Sequence, residues 1–286
     1  MNYKIITDSA CDLPAAMLAQ LDVTAVPLIV NFRGEAREDS VAEAEVKTLY
    51  DAMRGGEVAS TSAINPDGWA SAIEAALTED KDVLVLAFSG GLSTTYQSAV
   101  IAANDLLEKY PQRKIYVVDT ASATLGQGLL VWHVCKQRDN GLTLEQLRDW
   151  TEDNKLHVGH WFTVDDLVYL KRGGRVSAAT AVLGTMLNIK PVLRVDDEGH
   201  LISMVKARGR KNAIETLVKK FDETTEGYDN EVAFISHADA LEDAQKLEQM
   251  VLQRGVKQVF IGNLGAVIGA HAGPGTLALF FMAQHR

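Results

Sequence analysis

Hydroxyl side chains follow an apolar run in the segment VLVLAFSGGLSTTYQSAV, residues 83–100. Ser93, Thr94 and Thr95 come just after two glycines, where a buried strand is expected to give way to a helix. In α/β sheets, ligands bind beyond the carboxyl ends of strands, where helix amino termini offer free N–H groups. Such donors suit a carboxylate or phosphate, but a serine at a helix start also serves as a simple cap. An anion site, plain capping and a nucleophilic serine all stay open.

Two familiar phosphate-binding and catalytic motifs do not fit this loop. A nucleotide P-loop needs G-x-x-x-x-G-K-[ST], and no lysine is present here to meet the β- and γ-phosphates. A hydrolase elbow needs G-x-S-x-G, and Thr95 stands where its final glycine relieves crowding at the strained turn. The loop therefore does not match either motif.

Two further segments carry candidate side chains. Thr61 and Ser62 precede a helix start formed by Asn65 as cap and Pro66, and taken alone this pair is typical of a solvated loop. The segment GNLGAVIGAHAGPGTLALFF contains five glycines and a proline around His271. Glycine lets a backbone approach a ligand closely, so we expect His271 in irregular structure, although most lone loop histidines have no function.

Metal and nucleic-acid sites are poorly supported. His157 and His160 have i, i+3 spacing, but the sequence offers no obvious third ligand, so no metal site is predicted. Basic runs at Lys171 to Arg175 and at residues 206–211 are typical of solvated faces, or of docking points for an acidic partner. The net charge of −10 disfavours binding to phosphate backbones and to anionic membrane surfaces.

The elements that must position these side chains alternate regularly in the first half of the chain. Apolar strands separated by amphipathic helices predict an α/β domain with a largely parallel sheet over residues 1–158. The second half mixes helices with a hairpin signal at residues 190–207, which predicts an α+β domain over residues 159–286. We expect the glycine-rich His271 loop to return to an interdomain site.

The cysteines and apolar runs of the chain indicate its cellular compartment. Two distant cysteines, Cys11 and Cys135, favour a reducing environment. The apolar run after Lys4 is too short for a signal peptide, and no stretch reaches the roughly 18 apolar residues of a membrane span. These features predict a cytoplasmic protein without stable membrane insertion.

Taken together and in order, the motifs point to a known family. TDSACDLP at residues 7–14, the hydroxyl pair, SGGLSTTYQSA, VDTASATLGQGLL, YLKRGGRVS and GAHAGPGT closely resemble the DegV family of bacterial fatty acid-binding proteins, including the binding subunits of fatty acid kinase. The resemblance runs from about residue 5 to the end. It implies a two-domain α/β protein that holds one long-chain fatty acid in a closed tunnel.

The resemblance also implies which residues act. Thr61, Ser93 and His271 occupy the family's carboxylate-binding positions, and Ser62 and Thr94 stand beside them as further ligand-binding candidates. Arg172 and Arg175 are similar to the family surface that contacts the kinase. The chain departs from the usual pattern at two places: Thr94 replaces a common glycine, and Ala63-Ile64 replaces a common Gln-Pro.

The leading hypothesis is a non-catalytic carrier that presents a bound fatty acid to a separate ATP-dependent kinase, which places it in phospholipid metabolism with no cofactor of its own. Residues 179–187 and 277–282 are expected to supply apolar walls. An alternative is a serine-dependent acyl hydrolase using Ser93 and His271. A third hypothesis is a regulatory module that binds another small carboxylate.

Overall fold

The computed structural model describes residues 2–176 and 188–286. The strands are β1 (Tyr3–Asp8), β2 (Val23–Val26), β3 (Ile29–Phe32), β4 (Glu35–Glu38), β5 (Ser60–Ser62), β6 (Asp82–Ala87), β7 (Ile115–Asp119), β8 (Val158–Thr163), β9 (Ile189–Val195), β10 (Leu201–Arg208), β11 (Val232–His237), β12 (Gln258–Asn263) and β13 (Leu277–Met282). The helices are α1 (Ala15–Gln20), α2 (Glu43–Arg54), α3 (Pro66–Thr78), α4 (Thr95–Lys109), α5 (Thr124–Asp139), α6 (Leu144–Asn154), α7 (Val168–Arg172), α8 (Arg210–Thr224), α9 (Leu241–Leu252) and α10 (Ala266–Ala272). Two 3-10 turns lie at Ser9–Cys11 and Lys155–His157.

The parallel sheet predicted for the first half is present. Its strand order is β2-β1-β6-β7, and every neighbouring pair is parallel. The central strands β1 and β6 are almost fully buried over their carboxyl-terminal halves, because helices cover both faces of the sheet. The α/β prediction for this half is therefore confirmed.

A six-stranded mixed sheet occupies the second half, in the order β10-β9-β8-β13-β11-β12. Only β11 and β12 pair in parallel in the described part of this sheet. The predicted hairpin is present as β9 and β10, joined by a turn at Asp196 to His200. The mixed character of this half is confirmed, while the boundary between residues 158 and 159 stays a prediction.

A small antiparallel sheet, β4-β3-β5, is an element that the sequence did not reveal. The apolar run VTAVPLIV, residues 23–30, divides at Pro27, which has no N–H to donate to a ladder. Before Pro27 the chain pairs with β1, and after it β3 pairs with β5. This pairing gives Thr61 a fixed place opposite Val30.

Asp8 joins the loops that follow β1 and β6. Its carboxylate accepts hydrogen bonds from the amides of Phe88 (2.7 Å) and Ala10 (3.1 Å) and from Nε2 of Gln127 (3.2 Å). Burial raises the pKa of Asp8 to about 7 although these donors oppose the shift. These hydrogen bonds hold together the carboxyl ends of β1 and β6, next to the loop of residues 88–94, here called the hydroxyl loop.

Within the described ranges, no helix combines the length and apolarity needed to cross a membrane.

Candidate functional site

A cavity of about 480 Å³ lies where the loops of the first sheet meet the second sheet. Thr61, Ser93, Thr94, Arg175 and His271 all line it. The volume falls within the roughly 300–1,000 Å³ of typical small-molecule sites. Residues separated by up to 210 positions are thus brought to one place.

Thr61 and His271 are in direct contact. The Thr61 hydroxyl lies 2.8 Å from Nε2 of His271, with Thr61 on β5 and His271 in the last turn of α10. The expectation of irregular structure around His271 is wrong. Gly269 lies within this helix. It lets α10 approach α2 closely, because a Cβ at Gly269 would lie only 2.2 Å from the Tyr50 hydroxyl. Gly273, with φ of +83°, ends the helix.

The environment of His271 keeps its ring neutral. Burial, and then the positive charge of Arg175, lower the pKa of His271 to about 4. Its Nδ1 edge lies against Gly173, where an added Cβ would come within 2.2 Å of that nitrogen. At neutral pH the imidazole therefore carries a single proton, and when that proton is on Nε2 the ring donates to Thr61.

We expect His271 to titrate near pH 4 in the ligand-free protein. Because the folded-state pKa is depressed from its usual 6.5, His271 contributes stability above pH 6.5 that is lost progressively as the pH falls toward 4. A bound carboxylate would favour the imidazolium and raise this pKa. NMR titration of the imidazole signals, assigned with His271→Gln, measures both states. An unshifted pKa near 6.5 in the ligand-free protein would contradict the burial of this ring.

Ser93 is held by the start of α4. Its Oγ lies 2.9 Å from the Thr95 hydroxyl and accepts a hydrogen bond from the Thr95 amide at 3.2 Å. The preceding glycines are required by close contacts. A Cβ on Gly91 would come within 2.6 Å of the Glu198 carbonyl oxygen in the β9–β10 turn.

Arg175 lines the cavity, whereas the sequence indicated only that it belongs to a partner-contacting surface. Its Nε donates to the Leu92 carbonyl at 3.2 Å, and Nη1 donates to the carbonyl of Gly173. Burial lowers the pKa of this guanidinium, which still carries its charge at neutral pH. Arg172 is placed differently: it is not among the lining residues, and its guanidinium lies 5.8 Å from the centre of the Tyr169 ring.

The two remaining ligand-binding candidates differ in position. Thr94 is exposed but lines the cavity. Ser62 is exposed, accepts a hydrogen bond from Nδ2 of Asn31 at 3.0 Å, and is not among the lining residues. Side chains alternate across a strand, so Ser62 and Thr61 point to opposite faces of β5.

The rest of the cavity wall is mainly apolar. It includes Leu28, Phe88, Phe162, Val267, Ala278 and Phe280. The last two belong to the segment predicted to form a wall, and the register pairs Ala278 with Phe162. The other predicted wall, residues 179–187, lies outside the described residues.

His160 is a lining residue that the sequence did not reveal. It stands opposite Phe280 in the sheet, and its Nδ1–H donates to the Val158 carbonyl at 2.7 Å. Burial lowers the pKa of His160 well below its usual value, so the ring is neutral. The cavity wall therefore carries no charge at His160.

A second cavity of about 870 Å³ lies near β11 and β12. Its lining includes five carboxylate side chains, and Lys47 is the single cationic residue among the described lining positions. The carboxylates belong to Asp12, Glu38, Asp39, Glu43 and Asp239. Such a surface repels anions, so this cavity is a poor site for a carboxylate ligand.

Comparison with known proteins agrees with the motif order. A family model described as the DegV family matches residues 2–284. The chain belongs to the DegV family. DegV domain-containing protein CPE0026 of Clostridium perfringens is 41% identical over 285 residues, which cover 99% of this chain and 98% of that protein.

Solved DegV structures share the whole fold. A DegV family protein from Thermus thermophilus, described as fatty acid-binding, has a TM-score of 0.88 and 35% identity, covering 99% of this chain and 100% of that one. The Streptococcus pneumoniae Fatty Acid Kinase (Fak) B3 protein, loaded with linoleic acid, has a TM-score of 0.86 with the same coverage. Because the two chains are only 24% identical, this comparison supports a shared fold and nothing further.

Proposed function

We propose that this DegV protein binds one long-chain fatty acid, with its carboxylate at Thr61 and Ser93 and its chain along the apolar wall. The observation that carries the proposal is the convergence of Thr61, Ser93, Arg175 and His271 on one mainly apolar cavity. The fatty acid-binding description of the Thermus thermophilus relative supports it.

A fatty acid requires a cavity with one polar end and apolar walls elsewhere. A sixteen-carbon chain gains about 0.8 kcal/mol per buried CH₂, roughly 12 kcal/mol gross before the costs of association. Burying its carboxylate without partners costs several kcal/mol. Hydrogen-bond donors and one cation at a single end of the cavity offset that cost, while the walls accept the hydrocarbon.

We assign His271 an indirect role in this site. With its proton on Nε2, the imidazole donates to the Thr61 oxygen at 2.8 Å. The Thr61 hydroxyl then has its own proton available for the ligand carboxylate. Arg175 adds a fixed positive charge at the same end of the cavity.

The protein is proposed to act as a cytoplasmic carrier subunit that presents the carboxylate to a partner fatty acid kinase. The chain contains no recognisable P-loop for ATP phosphates, so phosphoryl transfer is assigned to that partner. Forming an acyl phosphate increases the negative charge at the head group, and Arg175 is placed to stabilise it. Arg172, which is not a lining residue, is proposed to contact the partner.

The hydrolase alternative is less well supported by the geometry. A catalytic serine needs a base within hydrogen-bond reach, and that base needs a third group to orient it. Ser93 instead bonds with Thr95, and Nε2 of His271 bonds with Thr61. On its Nδ1 side, the His271 ring lies against Gly173, which has no side chain to act as the orienting acid.

Mass spectrometry of lipid extracted from the gently purified protein tests the proposal. We expect a long-chain fatty acid in amounts approaching one per protein, and saturable binding of added hexadecanoate. Protein that carries no acyl chain and binds none would contradict it. Saturable binding of short acids alone would favour the regulatory module, and covalent labelling of Ser93 by a fluorophosphonate would favour the hydrolase.

A further inference from the structure

We infer that Thr95 is a positioning residue that makes Ser93 an obligatory hydrogen-bond donor, so that the site accepts ionised, acceptor-only head groups and discriminates against neutral ones. The inference rests on the proposed function and specifies the class of head group that the same site takes. The Ser93 and Thr95 hydroxyls are in direct contact, 2.9 Å apart.

The direction of that hydrogen bond follows from burial. Thr95 has no solvent exposure, so water does not reach its hydroxyl. In the part of the chain covered by the structure, Ser93 Oγ is the one hydrogen-bond partner of the Thr95 hydroxyl. A buried hydroxyl proton without an acceptor is costly, so Thr95 donates to Ser93.

The oxygen of Ser93 is therefore already occupied on its inner side. It accepts from the Thr95 hydroxyl at 2.9 Å and from the Thr95 amide at 3.2 Å. A serine hydroxyl has two acceptor lone pairs and one proton. With both lone pairs engaged, Ser93 has only its proton to offer to the cavity.

The chemical consequence is a head-group site built from donors. The Ser93 hydroxyl, the Thr61 hydroxyl backed by His271 and the Arg175 guanidinium all present hydrogens to the cavity. A carboxylate supplies only acceptors and satisfies them. A primary amide has a similar shape, but its NH₂ group would face donors and leave hydrogens unpaired.

Thr95 can be altered without removing its backbone contacts. Its amide donates to Ser93, and its carbonyl accepts from Nε1 of Trp69 at 3.0 Å, and neither depends on the side chain. Thr95→Val retains the branched shape and replaces the hydroxyl with a methyl group. Thr95→Ser retains the hydroxyl and loses a methyl group. The two variants separate hydrogen bonding from packing.

Binding of hexadecanoate and of 1-hexadecanol to purified protein is the test. We expect Thr95→Val to bind hexadecanoate about tenfold more weakly, the effect of roughly 1.4 kcal/mol, while 1-hexadecanol changes less than about twofold. Thr95→Ser should match wild type for both ligands. In a Ser93→Ala background, Thr95→Val should weaken hexadecanoate binding by less than about a further twofold, because the two hydroxyls act as one unit.

Several results would overturn the inference. These are unchanged hexadecanoate affinity in Thr95→Val, an equal loss for the acid and the alcohol, or full additivity with Ser93→Ala. Wild-type protein supplies a test that needs no variant: hexadecanamide should bind about 100-fold more weakly than hexadecanoate, and equal affinities would overturn the donor-only site. Wild-type protein that binds no hexadecanoate would instead contradict the proposed function itself.

Discussion

Arg175→Ala is expected to weaken hexadecanoate binding at pH 7 by about 30-fold, because a hydrogen bond or close contact to a charged group contributes roughly 2 kcal/mol in a partly buried site. The guanidinium lines the cavity and is fixed there by the carbonyl groups of Leu92 and Gly173. Isothermal titration or displacement of a fluorescent fatty acid measures the change. The loss should be far smaller for 1-hexadecanol, which carries no charge.

Arg172→Ala is the matched control for this experiment. The two arginines lie three positions apart in the same basic segment, but Arg172 contacts the Tyr169 ring and is not a lining residue. We expect hexadecanoate affinity within about twofold of wild type for this variant, in keeping with the small effects of most surface substitutions. Equal losses for the two variants, or an unchanged affinity in Arg175→Ala, would exclude a direct role for Arg175 at the head group.

Arg175 also shows where the sequence was insufficient. A basic run after a short helix is typical of a solvated face, and nothing in its composition distinguishes Arg172 from Arg175. The distinction arises in three dimensions, because the Leu92 carbonyl of the hydroxyl loop lies 3.2 Å from Nε of Arg175. Such a contact joins residues 83 positions apart, which periodicity and local motifs do not describe.

The elements with strong local signals were predictable. The continuous apolar run of β6 and the Asn65-Pro66 helix start both appear in the structure, where Asn65 Oδ1 accepts a hydrogen bond from the Gly68 amide at 2.8 Å. Short elements were not. β5 has only three residues and exists because β3 pairs with it. Gly269 of α10 serves helix packing, although the glycine-rich sequence around it resembles a loop. Thr61 and His271 therefore had recognisable motifs but no predictable local conformation.

Arg286 has no motif at all, yet it connects the loops beneath the cavity. Its side chain is 2% exposed. The guanidinium donates to the carbonyl groups of Thr120, Ala121, Lys155 and Asp196 and to the Ser122 hydroxyl. Three of these acceptors lie in the turn that leads to α5, whose first residue, Thr124, lines the cavity. The arginine thus fixes that turn to the β9–β10 turn and to the turn before β8.

Arg286→Ala should lower the free energy of unfolding by about 3–5 kcal/mol, because it leaves several buried carbonyl oxygens without donors, each costing about 1–3 kcal/mol before relaxation. Urea or thermal unfolding measures the loss. Arg33→Ala is the control, since Arg33 is exposed and paired with exposed Glu57, and its removal should change the free energy of unfolding far less than Arg286→Ala does. Arg286→Lys should recover only part of the loss, because an ammonium group does not span acceptors arranged around a planar guanidinium. If Arg286→Ala were as stable as Arg33→Ala, the turn before α5 would have to be held by other contacts.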